Sequence, residues 1–124
     1  MGRAACLAGI AALVAVLGAA RSSQAGPPAG ACTDTMVSRV EPRLQGAPDS
    51  GVFVAYADGH TQSSYEVLPG AAHSRPGDPV KLCVVSRPAG CPKGDDRGAV
   101  LSAVNGRTGE RWTAADSSHR CGGA

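Results

Sequence analysis

Apolar and polar residues alternate from residue 80 to residue 86. Val80, Leu82 and Val84 fall on one face, while Lys81, Cys83 and Val85 fall on the other. A period of two over this length predicts a half-buried β-strand. A second strand is predicted over residues 52–56, Val-Phe-Val-Ala-Tyr, because β-branched and aromatic side chains suit a pleated surface. Asp58-Gly59 follows directly and predicts a hairpin turn. Residues 60–68 then return as a strand that is polar at alternate positions and carries Tyr65 and Val67. Two further strands are predicted over residues 99–104 and 110–114, with a turn from Asn105-Gly106 to Gly109 between them. The last is centred on Trp112, whose ring is expected to point inward.

Ahead of these strands, Met36, Val37 and Val40 share one helical face behind Thr33 or Asp34 as a cap. That spacing predicts a short helix over residues 34–40, stopped by Pro42. Residues 45–51, 69–79 and 87–98 are dense in Gly and Pro and read as loops. Residues 115–124 form a polar tail whose Gly-Gly-Ala end, residues 122–124, is expected to fray. The fold class is therefore mainly β. About five short strands form a small antiparallel meander or partly closed barrel, with one short N-terminal helix.

The N-terminus follows a different pattern. A short basic start, Met1-Gly2-Arg3, leads into an Ala-, Leu- and Val-rich run, and Ser23-Gln24-Ala25 places small residues where a signal peptidase reads. Residues 1–25 are expected to be a signal peptide, with residues 26–31 a flexible leader and residues 32–121 a single domain. The apolar run is too short and too rich in Ala for a lasting membrane anchor. Cleavage removes Cys6 and leaves Cys32, Cys83, Cys91 and Cys121 in a periplasmic or extracellular setting, where four thiols become two disulfides. Of the three pairings, Cys83–Cys91 with Cys32–Cys121 is expected. Cys91 sits in a loop able to fold back on Cys83, and the outer pair would tie both ends of the domain to the sheet.

Composition makes those disulfides necessary. Beyond residue 25 the chain has ten valines, four leucines, one phenylalanine and no isoleucine, so Leu, Ile, Val and Phe are about 15% of it, below the usual globular share. Small domains with so little to bury are commonly held by cross-links. Charge adds little. The whole chain carries 12 basic and 10 acidic residues, and losing Arg3 and Arg21 makes the two equal. With arginines spread singly along the chain, no clustered basic face is expected, and hence neither a nucleic-acid nor a membrane partner.

Residues 91–98 (Cys-Pro-Lys-Gly-Asp-Asp-Arg-Gly) form the most polar stretch. Lys93, Asp95, Asp96 and Arg97 are the candidates for docking on a partner, set against their ordinary role as a solvated, turn-rich loop. The spacing is not that of an EF-hand loop. His119 lies near Cys121, but oxidised cysteines ligate no metal, and neither a metal nor a cofactor is expected. His60 is expected beside the hairpin turn and exposed. Gly-x-Ser-x-Gly, His-Glu-x-x-His and phosphate-loop motifs are all absent from the sequence. Asp58 and Glu66 are expected to face each other across the hairpin, but acid–base work by such a pair needs a cleft that a domain this small rarely builds. The expectation is a small, exported, non-catalytic binding domain, such as an inhibitor or accessory protein acting on an envelope or secreted protein partner. The alternative is an envelope structural or assembly component pairing through an exposed strand at 52–56. A small hydrolase or metal-binding protein is a third reading.

Overall fold

The computed structural model describes residues 2, 9, 11–15, 18 and 26–123. The expected signal segment lies outside the described residues apart from those isolated positions, as does Cys6. Six strands form one antiparallel sheet: β1 (Cys32–Leu44), β2 (Ala47–Tyr56), β3 (Thr61–Ser64), β4 (Pro79–Ser86), β5 (Val100–Asn105) and β6 (Arg111–Ala115). The sheet runs in the order β1-β2-β3-β6-β5-β4 and returns to β1. The ring is not a regular barrel. Its weakest seam is β3–β6, where Ser63 and Ala115 form one backbone pair.

The segment expected as a helix is the longest strand. β1 pairs with β2 along one edge and with the start of β4 along the other, so two ladders override a weak helical period. Only Val37 of the supposed apolar face is fully buried, and Met36 is half exposed. Pro42 does not end the element. It sits where the β1–β2 register shifts, between Pro42 and Leu44, a place that tolerates a residue without an N–H. The loop expected over residues 45–51 shrinks to Gln45-Gly46, and β2 begins at Ala47. Gly51, at φ +115°, then lies inside the strand, and a Cβ there would collide with the Ser64 carbonyl oxygen. The expected strand over 52–56 is thus present but is paired on both sides, with β1 and β3. It offers no free edge.

The alternation over β4 holds, with Val80, Leu82 and Val84 all buried. Val80 and Leu82 pack with Val37, Val54 and Trp112 in the core, and the Trp112 ring points inward at 6% exposure. Residues 69–79, expected as a surface loop, instead contain a short helix, α1 (Pro69–Ala72), with Gly70 and Ala71 buried. A Cβ on Gly70 would lie 2.9 Å from Trp112 Cε3, so the helix approaches the indole closely. A sparse set of side chains is thereby supplemented by backbone.

The disulfides are Cys32–Cys83 and Cys91–Cys121, which corrects both expected pairs. Because residues 32–36 are strand, Cys32 stands directly opposite Cys83 in the β1–β4 register, with Cα atoms 4.0 Å apart. Cys91 is then left to reach the tail. Two disulfides fit an oxidising compartment, and no helix among the described residues is long and apolar enough to cross a membrane.

Candidate functional site

Two irregular segments, residues 87–98 and 116–123, lie at the ends of β4, β5 and β6 and are joined by Cys91–Cys121, Cα atoms 5.3 Å apart. Their polar groups bind one another. Arg97 donates through Nε and Nη2 to the two carboxylate oxygens of Asp95, both at 2.9 Å. The Gly122 amide donates to Asp95 at 3.0 Å, and the Cys121 amide donates to the Arg97 carbonyl at 2.7 Å. The Arg97 guanidinium, with the Gly122 amide behind it, holds the Asp95 carboxyl well below the usual carboxylate range. The Gly98 amide donates to Asp116 Oδ1 at 2.8 Å. The tail is also tied to the sheet, through Thr61 Oγ1 on the Asp116 carbonyl at 2.8 Å and Tyr65 Oη on the Ser118 carbonyl at 3.1 Å.

Of the four residues expected to dock a partner, Asp95 and Arg97 are therefore engaged in shaping the loop. Lys93 and Asp96 are exposed and line an open concavity of about 690 Å³ formed by residues 87–96. Asp95 lines the same concavity, and Arg97 joins the group through its pair with Asp95.

Beside this concavity runs a second groove of about 400 Å³, between the tail and the outer ends of the strands. Arg87, His119 and Arg120 line it with Ser63, Ser118 and Tyr65. The Ser63 and Ser118 hydroxyls lie 2.7 Å apart. Arg87 donates through Nε to the Pro27 carbonyl, whereas the side chains of His119 and Arg120 make no hydrogen bond or ion pair among the described residues. The sequence carries no local signal of this grouping. Arg87 and Arg120 are far apart in the chain, and only the tail's path over the sheet makes them neighbours.

Two other places concentrate polar chemistry. At the mouth of the ring, a hollow of about 160 Å³ is lined by Leu82, Val84 and Leu101, with Cys32, Cys83 and His60 around them. His60 is half-buried, and its Nδ1 lies 2.8 Å from Asp58 Oδ2. Partial burial raises the Asp58 carboxyl, but the hydrogen bonds from His60 outweigh it and the net shift is downward. The imidazole is oriented, yet no hydroxyl or thiol is hydrogen-bonded to it among the described residues. Glu66 stands beyond β3, at the far end of the hairpin from Asp58, so these two carboxylates do not form the pair considered above. At the opposite end of the ring, buried Asp78 accepts from Arg107 Nε at 2.6 Å and from Asn105 Nδ2 at 2.9 Å. Asn105 also donates to Ser74 Oγ at 2.9 Å. This network fastens the segment after α1 to the β5–β6 turn. Cys121, the expected neighbour of His119, is oxidised. Among the described residues no three His, Cys, Asp or Glu side chains are grouped to hold a metal ion.

No protein-family model, curated protein or solved structure matches the chain.

Proposed function

We propose that this is a small exported domain that acts without catalysis by binding a protein partner through the face built from residues 87–98 and 116–123. One observation carries the reading: Cys91–Cys121 joins two segments that both lie outside the sheet. A cross-link between strands serves the core. A cross-link between loops fixes the shape of a surface and lowers the ordering cost of binding there, and loops on rigid scaffolds are where recognition concentrates. The Asp95–Arg97 pair and the Asp116–Gly98 bond act in the same direction. Export is supported by the N-terminal pattern of residues 1–25 and by the two disulfides. An inhibitor or accessory role toward an envelope or secreted protein suits a domain of this size.

The test is affinity capture from an envelope or culture-supernatant fraction. The bait is the disulfide-intact protein, compared with a variant in which residues 93–97 are replaced by Gly and Ser while Cys91 and Cys121 are kept. Specific capture should be lost with the replacement. Capture of the same partner at the same level would remove this loop from the binding face.

A further inference from the structure

We propose that the groove between the tail and the strand ends is an oxyanion site that accepts the carboxylates of an acidic segment of a protein partner. This rests on the binding face proposed above and specifies what that face selects. Guanidinium groups donate hydrogen bonds and accept none, and Arg87 and Arg120 both line the groove. The imidazole of His119 adds a further N–H. The Ser63 and Ser118 hydroxyls hydrogen-bond each other. That bond uses one of their two protons and leaves the other to be donated outward. The nearest carboxylates do not neutralise this set. Asp116 and Glu66 are not lining residues, Asp116 is turned onto the Gly98 amide, and Asp95 is held by Arg97.

The size and walls narrow the class. A groove of about 400 Å³ falls within the range that holds a drug-sized group, which corresponds to a few residues of an extended peptide. A saccharide would seek an open aromatic face. Tyr65, the one aromatic residue among those lining the groove, has the Arg43 guanidinium over its ring at 4.1 Å from the centroid, and its hydroxyl is engaged on Ser118. The groove thus presents charged and hydroxyl donors rather than a stacking platform, which favours carboxylates on a polypeptide.

The experiment titrates fluorescein-labelled hexaglutamate against the disulfide-intact protein by anisotropy at low salt. Hexaglutamine and an oligouronate of equal charge are run alongside. Hexaglutamate should bind and hexaglutamine should not, and affinity should fall as salt screens the contact. Arg120→Glu should weaken binding by about tenfold or more, and Arg120→Lys should recover part of it. Lys81→Glu makes the same charge change on the exposed face of β4, outside both the groove and residues 87–98, and should cost less than about threefold. Each variant is checked for wild-type thermal unfolding, because Arg120 is exposed and bonds nothing through its side chain. The proposal is overturned if hexaglutamate does not bind, if Arg120→Glu and Lys81→Glu weaken it equally, or if the oligouronate binds more tightly. Should the peptide fail while replacement of residues 93–97 still abolishes partner capture, only the acidic-segment assignment falls. Should capture survive both that replacement and Arg120→Glu, the binding face itself falls.

Discussion

Gln62 is 2% exposed and uses its whole amide. Its Oε1 accepts from Tyr56 Oη at 2.5 Å and from Trp112 Nε1 at 2.8 Å. Its Nε2 donates to the Leu101 carbonyl at 2.8 Å and the Ala114 carbonyl at 3.3 Å. One side chain on β3 therefore reaches β2, β5 and β6, across the seam that has a single backbone pair. Gln62→Leu fills a similar volume but strands a phenol, an indole N–H and two carbonyls, and each unsatisfied buried group costs about 1–3 kcal/mol. A loss of roughly 3 kcal/mol or more in a urea titration followed by Trp112 fluorescence is expected. A change within about 0.5 kcal/mol would show that the seam does not depend on this amide. Tyr56 belongs to the same cluster. Burial pushes its phenol above the ordinary value despite the hydrogen bond within the cluster. The neutral form is the one the fold holds, so its contribution is complete below about pH 10 and is lost as pH rises beyond that, where the unfolded chain ionises first. Tyr56→Phe should flatten that alkaline decline.

At the scale of elements, the two disulfides do different work. Chain entropy alone gives each about 4 kcal/mol against the unfolded state, for separations of 51 and 30 residues. Their local effects differ more. Replacing Cys91 and Cys121 together by Ser should leave the strand amides protected in hydrogen exchange while those at positions 98, 121 and 122 exchange freely. Equal loss of protection across β4 and β5 would mean that the loops and the sheet open as one unit. The same elements show what is legible in the chain. Alternation marks the inward face of β4, Asp58-Gly59 marks the β2–β3 turn, and Trp112 marks the core side of β6, because each signal is local. β1 is not legible, since its apolar spacing suits a short helix and its strand state comes from two partners distant in sequence. The disulfide pairing depends on that strand and goes astray with it. The basic groove is invisible for the same reason, while Asp95 and Arg97 stand out as charges but carry no mark of being each other's partners.

For the whole molecule, pH bounds the stable range from both sides. Asp78 and Asp95 are held well below the usual carboxylate range by Arg107 and Arg97 respectively. Their contribution is present at neutral pH and is lost as pH falls below about 4, where the unfolded chain takes up protons first. Urea midpoints measured from pH 2 to pH 11 should therefore fall at both ends. Asp78→Asn should lower the neutral midpoint and shallow the acid limb. An acid limb unchanged in that variant would remove Asp78 from the account. The thin core sets a further expectation. With all four cysteines reduced and alkylated, the cooperative urea transition should disappear at 37 °C, and a retained sharp transition would show that the side chains suffice alone.

Arg87 stands against the start of the described stretch that leads into β1. It holds the Pro27 carbonyl on one side and lines a groove with Arg120 on the other. A Cβ on Gly26 would run into that guanidinium, so any side chain at residue 26 would shift Arg87 and, through it, reshape the groove.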